Sequence, residues 1–163
     1  MNRVVGQALA LRQEIPHCRH IAEDGSTVMF DYAASTLPTA VVNEIIQQQT
    51  EEIERRIRVL RDGAALPALA GRTVVLVDDG IVMGSTVRAG IALCRKQDAR
   101  RIIVASPVAS PATADELTDL ADDVVIVEKP RSFRAVAQVY QNWYDVPDEE
   151  VVAIMRKFAR RQA

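Results

Sequence analysis

The stretch TVVLVDDGIVMGSTVRAGI, residues 73–91, indicates the order strand, loop, helix. Its apolar run Val74–Val77 is rich in β-branched side chains and stops at two carboxylates, Asp78 and Asp79. Such a run predicts a strand of a parallel sheet that is buried on both faces. The acid pair therefore stands at the carboxyl end of that strand.

A loop bracketed by Gly80 and Gly84 joins the strand to a segment with apolar side chains at helical spacing. The amides of such a loop and of the first helical turn have no intrahelical acceptors, so they point together at an incoming anion. The hydroxyls of Ser85 and Thr86 add two possible donors. These features predict a phosphate-binding loop.

The two carboxylates suit the other parts of a sugar phosphate. Asp78 and Asp79 can accept hydrogen bonds from a vicinal diol, or hold a hydrated divalent cation. A phosphate, a diol and a cation together describe a phosphorylated ribose.

In these residues the chain resembles the type I phosphoribosyltransferases, whose signature is four apolar residues, two acids, a short loop and Thr-Gly-x-Thr. The resemblance implies that Asp78 and Asp79 face the ribose hydroxyls of phosphoribosyl pyrophosphate, with Mg²⁺ nearby, and serve as the catalytic residues. It further implies that residues 82–86 wrap the 5′-phosphate. The substrate-binding residues so predicted are Asp78, Asp79, Gly80, Ile81, Val82, Met83, Gly84, Ser85 and Thr86.

The resemblance extends over roughly the last hundred residues. The segments VASPVAS, DVVIVEKP and YQNWYDVPDEEV look like one bacterial branch of that family, whose members are known only by the family name. It implies a pentosyl-transferring glycosyltransferase of nucleotide metabolism.

Two residues depart from the family pattern. Met83 stands where the first Thr of the signature gives a hydroxyl to the phosphate, which removes one donor. Val82 stands where 6-oxopurine enzymes carry an acidic general base, and a valine side chain transfers no proton. We therefore expect no salvage of hypoxanthine or guanine by that route.

The composition predicts one soluble domain with a real core. The chain has 163 residues, is 48% hydrophobic and carries a formal net charge of -2, which gives no bias toward nucleic acid or an anionic membrane. Cys18 and Cys94 lie far apart in unlike contexts, so we expect reduced thiols and a cytoplasmic protein. The N-terminal residues lack signal-peptide features, and no apolar run reaches membrane-spanning length.

The first part of the chain differs from the part that holds the motif. We predict a short helix over residues 3–12, a hairpin over His17–Tyr32 and a long helix over Pro38–Arg61. The segment Asp62–Gly71, rich in Ala, Gly and Pro, reads as a connector. We therefore expect a single phosphoribosyltransferase-like domain over residues 1–163, with the hairpin and long helix in 1–62 and the core in 72–163.

Two further apolar runs, Arg101–Ser106 and Asp123–Val127, alternate with helices, one of which begins at Ser110–Pro111. Alternation predicts a parallel sheet in a three-layer, Rossmann-like α/β fold. Ligands of such sheets bind at the carboxyl ends of the strands. The acid pair, the 106–110 loop and Glu128 with Lys129 should share one rim.

Two functions of different class stay open. The chain is either an active phosphoribosyltransferase, or a truncated, non-catalytic relative that binds a nucleotide or sugar phosphate, or serves in assembly. We expect an N-terminally shortened domain, because the Arg-Gly-Gly pyrophosphate loop of the family has no counterpart here. A strand missing beside residues 73–78 leaves an open edge, so we predict a homodimer or higher oligomer, with no nucleic acid or membrane partner.

Overall fold

A computed structural model describes residues 19–21, 27–29 and 38–160. The first element is an antiparallel pair, in which β1 (Arg19–Ile21) runs beside β2 (Thr27–Met29). This confirms the strands of the predicted hairpin. Its turn, and the helix predicted over residues 3–12, lie outside the described residues.

The predicted long helix is confirmed as α1 (Thr39–Arg61). It ends at Asp62, whose left-handed backbone (φ 52°) and following Gly63 (φ 77°) turn the chain, and the Gly63 amide donates to the Ile57 carbonyl at 3.1 Å. Its buried stripe centres on Ile53, against which Ile46 and Ile57 pack.

The remaining elements alternate strand and helix, as the sequence predicts. They are β3 (Thr73–Val77), α2 (Ser85–Lys96), β4 (Arg101–Val108), α3 (Pro111–Thr118), β5 (Asp123–Glu128), a 3-10 turn (Val136–Gln138) and α4 (Asp148–Arg160). The three strands form a parallel sheet in the order β3-β4-β5, with Val75 opposite Ile103 and Ala105 opposite Val125. The predicted parallel α/β architecture is confirmed.

Helices α2 and α3 cover one face of this sheet. That face carries Leu76, Ile102 and Val104, all buried, and the helices contribute apolar side chains to the same core cluster: Val87, Ile91, Cys94, Ala114 and Leu117. Because residues alternate between the faces of a strand, the even-numbered positions of β3, β4 and β5 form the base of the core. The core thus lies directly beneath the loops at the carboxyl rim.

The opposite face of the sheet is open among the described residues. Val75 and Val77 of β3 are 39% and 76% exposed, and Val125 and Val127 of β5 are 56% and 75% exposed. The prediction that the motif strand is buried on both faces is therefore wrong. An uninterrupted apolar run indicates that both faces of the strand are apolar. It does not indicate which element, if any, covers each face.

The last helix, α4, packs on α1 rather than on the sheet helices. Arg55 bridges the two, since its guanidinium contacts Asp148 at 2.5 Å and Glu52 at 2.8 Å. The Arg55 guanidinium, with a contribution from Arg56, lowers the pKa of Glu52 to about 2. Within the described ranges, no helix combines the length and apolarity needed to cross a bilayer.

Candidate functional site

The acid pair lies where β3 ends, at the carboxyl rim of the sheet. The Asp78 amide still donates to the Ala105 carbonyl of β4 at 3.2 Å, so the backbone remains beside the sheet for one residue beyond the strand. Asp78 is partly buried, whereas Asp79 is exposed. The pair thus has one carboxyl within the rim and one at its surface.

The partly buried position changes the acidity of Asp78. Burial, together with a hydrogen bond and the charge from the Asp79 carboxyl, raises the pKa of Asp78 from 3.8 to about 6. The backbone amides of Gly80 and Asp79 offset part of this rise. Two carboxyl groups held this close together form a site that favours a bound proton or a bound cation.

The loop after the acid pair is fixed to β4 and to the segment that precedes α3. The Ile81 amide donates to the Val108 carbonyl, and the Ser110 amide donates to the Ile81 carbonyl, both at 2.9 Å. The Ile81 side chain is 1% exposed and belongs to the core. Ile81 therefore anchors the loop from inside.

Gly84 ends the loop and precedes the first residue of α2. Its backbone is left-handed (φ 73°), and a Cβ atom there would lie 2.7 Å from Cγ2 of Thr113. Both observations require glycine, because a side chain would be strained and would meet α3. Gly84 has no side chain to cap α2, so the first amides of the helix face the loop without a side-chain acceptor.

The first two residues of α2, Ser85 and Thr86, both carry hydroxyl groups. Ser85 is buried. The Thr86 hydroxyl is also buried, and it has no hydrogen-bond partner in the described part of the chain. An unpartnered buried hydroxyl is costly, and an anion bound at the start of α2 would supply its partner.

The two departures from the family motif occupy the middle of the loop. Met83 is 50% exposed, so its apolar side chain projects toward solvent rather than into the core. The Val82 carbonyl accepts a hydrogen bond from the Thr113 hydroxyl at 2.7 Å. These residues offer backbone groups to a ligand and no side-chain donor.

The segment after β5 lies against the acid pair. Tyr140 donates its hydroxyl to the Asp79 carbonyl at 2.7 Å, and its ring contacts Trp143 with centroids 5.4 Å apart. A Cβ atom on Gly80 would lie 2.7 and 2.8 Å from the two methyl groups of Val136. The segment is therefore packed directly on the backbone of residues 79 and 80.

A cavity of about 310 Å³ opens beside Tyr140 at the same rim. Its wall is mostly apolar and is formed by Pro107, Val108, Val127, Glu128, Pro130, Val139 and Tyr140. Phe133, which follows the same strand, is 7% exposed and belongs to the interior. It is thus Tyr140, rather than Phe133, that reaches the cavity.

The predicted rim is assembled as expected. The Ala109 amide donates to the Glu128 carbonyl at 3.1 Å, and Ser110 contacts Ile81, so the ends of all three strands meet there. Lys129 contacts Asp115 of α3 at 3.7 Å. All the predicted site residues, Asp78 to Thr86, lie between the end of β3 and the first turn of α2 at this rim.

Sequence reasoning missed two residues of the site. Tyr140 lies 61 positions from Asp79, and Thr113 lies 31 positions from Val82. The signal for Thr113 is local: Ser110 and Pro111 mark a helix start, which places position 113 in its first turn. No comparable sequence signal identifies Tyr140 as a partner of the acid pair.

The acid pair has the donors for a magnesium ion held jointly with a ligand. In the described ranges, no group of three or more His, Cys, Asp or Glu side chains could hold a metal ion by itself. Mg²⁺ is commonly bound by one or two carboxylates, with water and substrate oxygens completing the octahedron. The pKa of Asp78 is raised by burial and by a second carboxyl, effects that a bound cation would offset, so these residues fit the ion.

Comparison with known proteins places this geometry in a family. Residues 20–142 match the family model described as phosphoribosyl transferase domain. Two Mycobacterium tuberculosis proteins carry the provisional name phosphoribosyl transferase, MT0597 from strain CDC 1551 / Oshkosh and Rv0571c from strain ATCC 25618 / H37Rv. Each is 33% identical to this chain over 142 residues, which are 86% of the chain and 32% of the relative.

A solved structure shows the same fold. The crystal structure of TT1426 from Thermus thermophilus is 32% identical and superposes with a TM-score of 0.68. The match covers 85% of this chain and 66% of that chain. The present chain thus spans about a third of the length of its curated relatives and about two thirds of the solved structure.

Proposed function

The chain belongs to the phosphoribosyl transferase family, and from that premise we propose that it binds phosphoribosyl pyrophosphate, or a nucleoside 5′-phosphate, at residues Asp78–Thr86. The observation that carries the proposal is the buried Thr86 hydroxyl, which has no partner among the described residues and lies at the start of a helix that none of their side chains caps. Thr86 lies at one end of the segment that joins β3 to α2, and the acid pair lies at its other end. The Thr86 end of the segment would bind an anion and the Asp78–Asp79 end would bind a diol. A ribose 5-phosphate carries both groups, the 5′-phosphate at one end and the 2′,3′-diol at the other.

The acid pair receives the ribose in this proposal. Asp79 is exposed and accepts from the ribose hydroxyls first, while Asp78 lies deeper and holds a proton below about pH 6. Charge-assisted hydrogen bonds from two vicinal hydroxyls would fix the sugar ring relative to the sheet. Their role is to orient the anomeric carbon.

Magnesium is the implied cofactor, and Asp78 with Asp79 would hold it together with ligand oxygens. The ion would supply charge neutralisation for the departing pyrophosphate. The residues of the chain do the remaining work: the 80–86 turn holds the phosphate, and the carboxylates hold the ribose. Val82 has no acid–base role at its own position, because its side chain has no titratable group.

We propose that bound phosphoribosyl is transferred to a nitrogenous base, which makes the protein a pentosyl-transferring glycosyltransferase. The acceptor would approach from the cavity beside Tyr140, which opens at the same rim. The proposed compartment is the cytoplasm, because Cys94 is a buried thiol without a disulfide partner in the described part of the chain.

A second candidate is a non-catalytic sugar-phosphate or nucleotide-binding protein. Met83 favours it, because this half-exposed side chain replaces a hydroxyl donor in the phosphate loop. The loss weakens electrostatic stabilisation of the reacting phosphates more than it weakens simple binding. The two candidates share the ligand and differ only in turnover.

Calorimetry with phosphoribosyl pyrophosphate and Mg²⁺ tests the shared ligand. We expect micromolar binding by the wild type and roughly a tenfold weaker Kd for Asp79→Asn, because one carboxylate of the pair is lost. Asp98→Asn is the matched control, since Asp98 lies in the turn before β4, at the opposite end of the sheet, with a left-handed backbone that asparagine also adopts. Absence of wild-type binding refutes the proposal.

Pyrophosphate release over a panel of common bases separates the two candidates. Release with one base, abolished by Asp79→Asn, establishes the transferase. Binding without release from any base supports the non-catalytic protein. Stopped assays with purified wild type and Asp79→Asn, both at saturating Mg²⁺, make this comparison.

We also propose a homo-oligomer, with no nucleic-acid or membrane partner. Strand β3 is an edge strand of the described three-stranded sheet. Its last residue, Val77, is 76% exposed. Exposed apolar edge strands are usually covered by another chain or element. A second copy of the chain is the partner that this proposal names.

A further inference from the structure

Helix α3 begins with a chain of hydrogen bonds that ends on the proposed phosphate loop. The Thr113 amide donates to the Ser110 hydroxyl at 3.2 Å, and the Ser110 hydroxyl donates to the Thr113 hydroxyl at 2.8 Å. The Thr113 hydroxyl in turn donates to the Val82 carbonyl at 2.7 Å. Each proton in this series has one acceptor, so the direction of every bond is fixed.

Thr113 is a buried polar residue, 7% exposed, and its methyl group also contacts the loop. A Cβ atom built on Gly84 would lie only 2.7 Å from that methyl carbon. Thr113 therefore touches the loop with both branches of its side chain, the hydroxyl at Val82 and the methyl at Gly84. A residue that served only to cap or bury α3 would not need both contacts.

The contacts determine where the loop amides point. In a planar trans peptide, the carbonyl and the N–H of one unit point in opposite directions. The Ile81 carbonyl is held by the Ser110 amide, and the Val82 carbonyl is held by the Thr113 hydroxyl. The N–H groups of Val82 and Met83, which belong to those two peptide units, are therefore turned away from α3.

Two successive amides that point to the same side make a concave anion site. We propose that Thr113, with Ser110, is a positioning residue of this protein: it holds the Ile81–Gly84 backbone so that the Val82 and Met83 amides face the bound phosphate. These amides replace the donor that Met83 cannot supply through its side chain. The inference rests on the proposed function only in identifying the anion as a 5′-phosphate.

A second tie between the two helices supports this geometry. Arg88 of α2 forms an ion pair with Glu116 of α3, and the Arg88 amide donates to the Gly84 carbonyl at 2.9 Å. Helix α3 thus contacts the loop itself and also the helix that follows it. Movement of α3 relative to the loop would break the ion pair and the Thr113 bond together.

The test compares Thr113→Val with Thr113→Ser in the full chain, and the probe is ribose 5-phosphate measured by calorimetry. Valine keeps the β-branched shape and the methyl group but replaces the hydroxyl with a second methyl, so we expect Kd to rise about tenfold, as for the loss of one buried hydrogen bond. Serine keeps the hydroxyl and should restore Kd to within about twofold of wild type. A role confined to packing of the Thr113 methyl group would not be rescued by serine, because serine lacks that methyl group.

Thr118→Val is the matched control. Its hydroxyl also donates to a backbone carbonyl of α3, that of Asp115 at 2.6 Å, but it is exposed and lies at the other end of the helix from Thr113. We expect no change in Kd for this variant. If Thr113→Val does not fold, Ser110→Gly removes the other hydroxyl of the series at a position where glycine is accepted as a helix cap, and a rise in Kd is again expected.

Hydrogen exchange of peptides over residues 80–87 separates this inference from the proposed function. Thr113→Val should speed exchange in these peptides about tenfold relative to Thr118→Val, whether or not a ligand binds. If exchange is faster in Thr113→Val but the wild-type protein does not bind ribose 5-phosphate, the proposed function is refuted and the positioning of the loop by Thr113 is supported. The positioning role is refuted if Thr113→Val shows unchanged exchange over residues 80–87, or if it binds ribose 5-phosphate with the same Kd as the wild type.

Discussion

Tyr140 donates its hydroxyl to the backbone carbonyl of Asp79 across 2.7 Å, and this bond joins residues 61 positions apart. It fastens the segment after β5 to the peptide that links the acid pair to the loop. The ring of Tyr140 also forms a wall of the cavity at the rim. One side chain thus contacts both the proposed ribose site and the proposed entry for an acceptor.

Tyr140→Phe should loosen that segment while it preserves the ring contact with Trp143. A single neutral hydrogen bond contributes about 1 kcal/mol, so we expect a decrease of that size in the free energy of unfolding. Faster hydrogen exchange over residues 133–142 should accompany it. Urea unfolding and exchange mass spectrometry measure the two effects.

Tyr144→Phe serves as the control for this substitution. The Tyr144 hydroxyl donates to a Glu150 carboxylate at 2.9 Å on an exposed surface, away from the acid pair. Its loss should leave exchange over residues 133–142 unchanged. Equal effects of the two substitutions would show that the Tyr140 bond has no special role.

Gly80→Ala should destabilise the protein by crowding two valine side chains, Val136 and Val108. The new methyl group would lie 2.7 and 2.8 Å from the two Val136 methyls and 3.1 Å from a Val108 methyl, and Gly80 has no positive φ, so the effect is purely steric. Overpacking of this kind costs about 1–3 kcal/mol. The measurement is urea unfolding.

A double-mutant cycle identifies the cause. Val136→Ala removes the two nearest methyl groups and leaves only the Val108 methyl at 3.1 Å, so the double variant should recover most of the stability lost in Gly80→Ala. Additive losses would instead show that the glycine is required for its backbone.

The elements that follow from local patterns were predictable. The β3-loop-α2 order, the long helix α1 and the Ser110–Pro111 start of α3 depend on residues near each other in the chain, and all three are observed. Contacts between distant segments were not predictable. The Tyr140 and Thr113 hydroxyls reach backbone carbonyls, which carry no residue-specific signal in a sequence.

The burial of β3 illustrates the same limit. Val75 and Leu76 are neighbours in an unbroken apolar run, yet one is 39% and the other 7% exposed. The difference is set by α2 and α3, which pack on one face of the sheet only in the described part of the chain. Composition predicts an apolar strand, whereas topology decides which side of it is covered.

The acid pair gives the protein a defined pH response. An acid whose folded-state pKa is raised binds its proton more tightly when folded, so stability falls as pH rises. For Asp78 the fall should occupy the window from 3.8 to about 6 and be complete above it. Glu52 has the opposite trend: its stabilising contribution is complete above 4.5 and is lost as pH falls toward about 2, so it overlaps the Asp78 window only below 4.5 and cancels when wild type is compared with a variant of Asp78.

Asp78→Asn should therefore be more stable than the wild type at neutral pH, about one unit above the raised pKa, and the difference should vanish near the ordinary pKa of 3.8. Urea unfolding of both proteins at several pH values across that window measures this, with Asp98→Asn as the control for removal of a negative charge. A constant difference between wild type and Asp78→Asn over that range would contradict the raised pKa.

The ion pair between Arg55 of α1 and Asp148 of α4 predicts that its loss would destabilise α4 locally. Asp148→Asn removes the charge that Arg55 contacts at 2.5 Å, so α4 should exchange its amides faster while the sheet remains protected. Because Arg55 is partly exposed, solvent screens the pair and the global loss of stability should be small. Arg58→Gln, which breaks an exposed pair with Glu54 on the same helix, is the control and should leave α4 exchange unchanged.

The position of β3 at the edge of the sheet that the described residues form predicts self-association. Sedimentation at micromolar concentration should show a dimer or a larger oligomer, because an apolar edge strand with unpaired backbone groups is covered more often than it is left in water. Val77→Lys should shift the protein toward the monomer, since a charge at a 76% exposed position beside that edge opposes pairing. A monomeric wild type would contradict the prediction.

Val127→Lys distinguishes the edge from the face. Val127 is 75% exposed on the same open face as Val77, but it belongs to β5, on the other side of the sheet. If copies of the chain pair through the β3 edge, Val127→Lys should leave the association intact. Equal dissociation by both substitutions would place the contact on the open face, because a charge anywhere on that face would then interrupt the same apolar surface.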